Sequence, residues 1–231
     1  MITVETIRER HSVREYDGKP LARVEFDALG AVVEECARES GLDIQLVGDN
    51  PEVFNVIARF GLIRGCRTHV AFVVDDGKAR GVAADEAIGY WGQKIVLAAQ
   101  DMGLNTCWCA LCSRRKSCAV VAPGKKIRLV IAVGHGKTQG FSRKTKSVEA
   151  LSSVECAKAP AWFAAAMEAA QLAPTAMNNQ NFKITLFSDG KTVRIDAPQS
   201  GLNVIDEGIV RCNFEIAANE AGADWRWERE M

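Results

Sequence analysis

Pro174-Thr175-Ala176-Met177-Asn178-Asn179-Gln180 puts a proline, a hydroxyl and several side-chain amides directly ahead of the strand-like run Phe182-Lys183-Ile184-Thr185-Leu186-Phe187. A carboxamide donates and accepts at once, so Asn178 and Gln180 suit a ligand whose rim alternates donors and acceptors. Pro174 and Thr175 would hold those amides as a polar hook on a rigid edge. The same residue types also build ordinary helix-to-strand loops. Near the other end of the chain, Arg10-His11-Ser12-Val13-Arg14 gathers two guanidiniums, an imidazole and a hydroxyl within one short stretch. Arginine matches phosphate in a bidentate way, so this is a compact anion clamp. It is expected to close a short helix that begins near Thr3, and a basic helix end is also what the helix dipole favours on any surface. A third basic group, Arg143-Lys144-Thr145-Lys146, follows the turn Gly134-His135-Gly136.

Cysteine supplies a second kind of chemistry. Cys107, Cys109, Cys112 and Cys118 lie close in sequence, and Cys109-Ala110-Leu111-Cys112 is a C-x-x-C. That spacing serves a metal, an iron–sulfur cluster or a redox dithiol. Buried free cysteines also behave as small apolar side chains. The set matches no four-cysteine zinc or ferredoxin spacing, so no metal is expected. Cys36, Cys66, Cys156 and Cys212 are scattered and read as reduced thiols.

The elements that must position these groups are mixed. Periodicity predicts helices at Val4–Arg10, Arg23–Glu39, Asp49–Phe60, Asp85–Met102, Ala161–Ala173 and Asp206–Ala221. Strands are predicted at Ile44–Val47, Thr68–Val74, Thr106–Ala110, Arg128–Gly134, Phe182–Ser188, Thr192–Ala197 and Asp224–Glu228. Several strands are short and free to pair antiparallel, so the fold class is α+β. His69 opens an apolar strand and reads as structural. The tryptophans at 91, 108, 162, 225 and 227 read first as core or interface anchors.

Bulk properties narrow the function classes. The chain has 231 residues, 48% of them hydrophobic and 25% charged, enough for a substantial core. Lysine plus arginine equals aspartate plus glutamate, 29 against 29, so no global field draws nucleic acid or an anionic membrane. No apolar run approaches the roughly 20 residues that span a bilayer. The first residues lack the basic-then-apolar layout of a signal peptide, and a cytoplasmic location is the expectation. No G-x-G-x-x-G follows a strand, so a dedicated dinucleotide domain is not expected.

Together the motifs resemble the flavin-dependent nitroreductase family. That family places an Arg-Arg/His-Ser-x-Arg motif near the N-terminus on the FMN phosphate and ribityl chain, a Pro-Ser-x-x-Asn-x-Gln segment on the flavin, and a late basic arm on the phosphate. Asp85-Glu86-Ala87-Ile88, the run from Lys94 to Leu104, and Asn105-Thr106-Cys107-Trp108 are similar to its central helix and the strand entry that follows. The resemblance implies an NAD(P)H-dependent oxidoreductase that carries electrons through flavin N5, in ping-pong fashion, to a small acceptor such as a nitroaromatic or quinone. It implies that Arg10, His11 and Ser12 hold phosphate and ribityl. Arg143, Lys144 and Lys146 would close over the phosphate, with Arg14 at the pyrimidine edge. Pro174, Thr175, Asn178 and Gln180 would fix the ring, and the backbone amides around Ala110 and Leu111 would face N5. No catalytic acid or base stands out. Nicotinamide would stack in the flavin pocket itself, and His135 has equal claim to a cofactor and a plain turn. Asn181-Phe182 replaces the family's Pro-Trp.

The motif order departs from that of most members, because the hook normally precedes the central helix. Here it follows everything else, and Val32 to Leu46 stands at the usual place without it. Asp206-Glu207-Gly208-Ile209 echoes Asp85-Glu86-Ala87-Ile88, and Trp225 echoes Trp108. The expectation is a duplicated chain: residues 1–155 form a first nitroreductase-like lobe with the phosphate clamp, and 156–231 a smaller, diverged lobe with the hook. Such an intramolecular pseudo-dimer would stand in for the family's homodimer, keep one complete FMN site and be monomeric. Two other readings stay open: a flavin-binding carrier or sensor without turnover, and a thiol or iron–sulfur redox protein using Cys107 to Cys118.

Overall fold

The computed structural model describes residues 2–54, 63–77 and 82–228. The helices are α1 (Val4–Glu9), α2 (Arg23–Ser40), α3 (Val82–Asp101), α4 (Val148–Leu151), α5 (Ala161–Gln171) and α6 (Asn203–Glu220). The strands are β1 (Asp43–Val47), β2 (Thr68–Asp75), β3 (Asn105–Cys109), β4 (Lys125–Gly134), β5 (Lys183–Leu186), β6 (Thr192–Asp196) and β7 (Arg226–Trp227). Short 3-10 turns lie at Pro51–Phe54, Arg114–Lys116, Cys156–Lys158 and Ala176–Asn178. Most expected elements are present with ends shifted by a few residues. The helix expected at Asp49–Phe60 is a correction: Pro51–Phe54 forms a 3-10 turn, and 55–60 lie outside the described residues.

Two compact units can be drawn, one from Glu9–Ala84 with Lys94–Ser142, the other from Ile2–Arg8, Asp85–Gln93 and Arg143–Met231. The lobes expected at 1–155 and 156–231 divide the chain by sequence repeat, whereas compactness divides it elsewhere.

The first unit is built on an antiparallel sheet of order β1-β2-β4-β3. Its inner strands are continuous apolar runs because both faces are covered; every residue of β2 from Thr68 to Val74 is buried. The register sets Thr68 opposite Val133 and Asn105 opposite Gly134, with a bulge between Phe72 and Val73. Helix α2 buries Leu29, Val33 and Cys36, positions that share one helical face. Its start is held by Glu25, whose Oε2 accepts from Ala22 N at 2.8 Å. Its end is turned by Gly41 at φ 69°, a left-handed conformation that glycine adopts without a Cβ penalty.

In the second unit, β5 and β6 form an antiparallel hairpin, and β7 joins β6 in parallel. Helix α6 is buried on nearly all sides, from Val204 to Ala218, as a central helix must be. It packs on α5 through Phe163 and Phe214, with ring centroids 5.9 Å apart, and Trp162, Trp225 and Trp227 complete the aromatic cluster. It also crosses α3 at Gly208. A Cβ on Gly208 would lie 2.0 Å from Glu86 O, and one on Gly89 would lie 2.0 Å from Ile205 O. Each glycine thus faces the carbonyl three residues before the other, so the crossing is reciprocal. Arg211 seals its flank against Glu86 (2.8 Å) and Glu207 (3.0 Å), with its guanidinium 4.6 Å from the centre of the Trp227 ring.

Candidate functional site

The cationic motif lies past the end of α1 rather than within it. Arg10 to Arg14 is extended backbone strapped along β3: Ser12 bridges Thr106, and Val13 N donates to Thr106 O at 3.0 Å. The strap continues through Asp17 N to His135 O and Lys137 N to Glu15 O, both 2.9 Å. An extended chain alternates its side chains, so Arg10, Ser12 and Arg14 share one side and His11 and Val13 the other. Val13 is in the core.

Arg10 is only 8% exposed, and its Nε has no hydrogen-bond partner. Burial holds its guanidinium down to about 10, partly countered by Cys107, so it stays charged near neutrality. A buried cation with an unfilled donor is costly unless an anion meets it. His11 is fixed at both nitrogens, Nδ1 to Glu9 O at 2.9 Å and Nε2 to Ser142 Oγ at 3.2 Å. Gly140 allows that approach: its φ is +78°, and a Cβ would sit 2.7 Å from His11 Cβ. Gly136 is equally confined, since a Cβ there would lie 2.7 Å from Asn105 Oδ1, which accepts from Gly136 N. His135 faces Glu25, with Nε2 3.1 Å from Oε1, so the carboxylate that caps α2 also holds this imidazole.

The hook is a strained turn. Met177, Asn178 and Gln180 have φ of 55°, 57° and 47°, a left-handed backbone that non-glycine residues rarely adopt, and such clusters mark sites where geometry matters more than local stability. The turn is held from below by Asp206 on the first turn of α6, whose two oxygens accept from Ala176 N at 2.9 and 3.0 Å. Burial raises Asp206 to about 6, with the Ala176 N–H pulling the other way. Thr175 Oγ1 accepts from Gln180 N at 3.0 Å. Pro174, Thr175 and Asn178 are half-buried.

The hook also binds the basic arm. Gln180, 1% exposed, accepts from Lys146 N at 2.6 Å and donates to Gln171 O at 2.8 Å, while Lys146 Nζ donates to Gln180 O at 2.9 Å. Gln171 Nε2 in turn reaches Lys146 O, and Asn178 Nδ2 donates to Lys144 O. The Gln180 amide is therefore engaged with protein on both sides. The Asn178 Oδ1 has no donor among the described residues. Arg143 and Lys144 are exposed.

Ala110 and Leu111 occupy the turn after β3, with Leu111 68% exposed. Arg114 braces that turn, NH2 to Ala110 O at 3.1 Å and NH1 to Arg128 O at 2.8 Å. Sequence reasoning missed Asp206, Gln171, Ser142 and Arg114 as members of these arrangements. Only Asp206 left a signal, as the acidic residue of an apolar helix start. His69 is structural, fully buried, with Nε2 2.8 Å from Ser117 Oγ, and burial lowers it to about 4. Among the described residues, no group of three or more His, Cys, Asp or Glu is placed to hold a metal ion. No helix among them is long and apolar enough to cross a membrane.

The family model described as "Putative TM nitroreductase" matches residues 2–218. The chain belongs to that nitroreductase family. Three crystal structures share the fold, with descriptions of the same kind. A nitroreductase from Thermotoga maritima is 20% identical, with 96% of this chain and 85% of that one covered at TM-score 0.63. One from Desulfovibrio desulfuricans, in complex with FMN, is 18% identical, covering 66% of this chain and 95% of that one at TM-score 0.51. An NADH dehydrogenase/NAD(P)H nitroreductase from Parabacteroides distasonis is 21% identical, covering 66% and 95% at TM-score 0.50. No curated protein matches this chain. The nitroreductase fold confirms the α+β reading, its sheets being largely antiparallel.

Proposed function

We propose that this nitroreductase-family chain is an FMN-dependent oxidoreductase taking electrons from NAD(P)H. The observation that carries the reading is Arg10, a buried guanidinium whose Nε lacks a partner, beside a histidine and a serine positioned on the edge of β3. A phosphate meets that need, because it brings both charge and acceptor oxygens. The FMN complex of the Desulfovibrio protein supports the same cofactor. Arg10, His11 and Ser12 would hold phosphate and ribityl, with Arg143, Lys144 and Lys146 as the closing cations and Arg14 at the pyrimidine edge. Asn178 would offer its Oδ1 to a ring donor, Pro174 and Thr175 would shape the turn, and Gln180 would keep the arm and hook together. The amides around Ala110 and Leu111 complete the proposed set. Bound there, FMN would supply two-electron transfer at N5, in ping-pong fashion, to a small acceptor such as a nitroaromatic or quinone.

A duplicated origin fits this reading. The reciprocal crossing of Gly89 and Gly208 is the local pattern of a two-fold axis between equivalent helices, here within one chain. The Desulfovibrio and Parabacteroides proteins cover nearly their own length with two thirds of this one. We infer a monomeric pseudo-dimer of the cytoplasm.

Reconstitution tests the proposal. Purified protein is mixed with FMN, desalted and examined by visible absorption, and NADH or NADPH is then added without oxygen. Retained flavin that bleaches with nicotinamide is the expected result. Flavin retained without bleaching identifies a carrier. If the wild type retains no more flavin than an Arg10→Gln variant, the phosphate site is wrong.

A further inference from the structure

The flavin reading uses the backbone amides of Ala110 and Leu111, but it gives no role to the two thiols that flank them in the C-x-x-C. Cys109 ends β3 and is buried, while Cys112 sits three residues on, half-buried against the same core cluster. Both are free thiols, and Cys109 Sγ donates to Leu111 O at 3.5 Å. Cys112 Sγ also lies 3.7 Å from Cys109 O, so the turn folds the second sulfur back over the first residue. Residues three apart in a turn have the Cα separation that a disulfide requires. The turn is anchored on both sides, by Arg114 on Ala110 O and Arg128 O and by Ser113 N on Val53 O at 2.7 Å.

The two thiols are unequal. Among the described residues Arg114 meets backbone carbonyls and no carboxylate, so its charge is left to act on the turn. The neighbouring Cys109 side chain is the main cause that lowers Cys112, and Arg114 adds to it. The same contact, with burial, raises Cys109. Cys66 lies in the same buried cluster as Cys109, but desolvation pushes it up to about 12, and Cys36 is likewise pushed up to about 11. A partly exposed, charge-stabilised thiol next to a buried one is the division of labour that thiol–disulfide exchange uses.

We propose that Cys109 and Cys112 are a redox-active dithiol that exchanges with low-molecular-weight disulfides, Cys112 attacking and Cys109 resolving. The Cys112 sulfur attacks one sulfur of the acceptor disulfide, forming a mixed disulfide, and the other half leaves as a thiolate that takes up a proton. The Cys109 thiol then gives up its proton and attacks Cys112 Sγ, releasing the second half. The acceptor disulfide is reduced to two thiols and the protein pair is oxidised to an internal disulfide. A dithiol reductant reverses both steps.

The test uses the intact chain with glutathione disulfide as the probe, first without FMN, so that the outcome does not depend on flavin binding, and then with FMN added. Reduced protein is incubated at graded ratios of oxidised to reduced glutathione, quenched by alkylation and mapped by peptide mass. Expected is a Cys109–Cys112 disulfide in the wild type, reversed by dithiothreitol. Cys109→Ser should trap glutathione on Cys112, with loss of its internal release. Cys112→Ser should leave Cys109 unmodified. Wild-type mapping needs no variant to fold. Failure to find the Cys109–Cys112 bridge at any ratio, or a first adduct on the exposed Cys118, overturns the proposal.

Discussion

Replacing Gly208 by alanine should force α6 away from α3. The added Cβ would sit 2.0 Å from Glu86 O, 3.0 Å from Glu86 C and 2.7 Å from Tyr90 N, all backbone atoms that no rotamer change can move. Relief requires the helix axes to part by about 1 Å, which loosens the contacts of both helices; overpacking of this kind costs about 3 kcal/mol. Alanine recovers about 1 kcal/mol through helix propensity, leaving a net loss of about 2 kcal/mol. For a chain of this size that lowers the melting temperature by roughly 4–8 °C. Gly30, inside α2, is the matched control: a Cβ there would meet only Leu46 Cδ2 at 3.9 Å. Gly30→Ala should therefore raise stability by up to about 1 kcal/mol. Thermal and urea unfolding of both variants gives the signs directly. Gly89→Ala should resemble Gly208→Ala, and the double variant should cost less than both added, because one separation relieves both clashes. A Gly208→Ala protein as stable as the wild type would refute the close crossing.

Three further outcomes follow from the site. Arg10→Met should lower FMN affinity at least tenfold in fluorescence titration while leaving unfolding of the flavin-free protein unchanged or slightly raised, since a buried unpaired cation is removed. Asp206 carries a pH signature: with its folded value raised from 3.8 to about 6, the native state binds the extra proton, so its contribution is complete below 3.8 and is lost as pH rises through about 6. At about 1.4 kcal/mol per pH unit the span is worth about 3 kcal/mol, and urea midpoints of Asp206→Asn across this range should lack the wild type's fall. Gln180→Ala strips the partners of Lys146 N and Gln171 O and should cost about 1–3 kcal/mol, with proteolysis first at the 143–147 arm.

Periodicity and turn chemistry were enough to read most of the elements, though they set a helix over Pro51–Phe54 where a 3-10 turn forms and left the short α4 unread. Thr68 to Val74 is a buried apolar run, and Leu29, Val33 and Cys36 repeat along one helical face. The chemical character of the motifs was equally legible, since charge, carboxamides and thiols are properties of residue type. What those groups do to one another was not. The sequence shows an arginine at 10, and only burial makes it a cation short of a partner. It shows Gln180 in a polar loop, and only folding spends both ends of its amide on Lys146 and Gln171. The echo of Asp85–Ile88 in Asp206–Ile209 would pair Ala87 with Gly208, yet the crossing pairs Gly89 with Gly208, a displacement of two residues. Close approach of two backbones is decided by the absence of a Cβ at one point of contact, and no local pattern records where two distant helices meet.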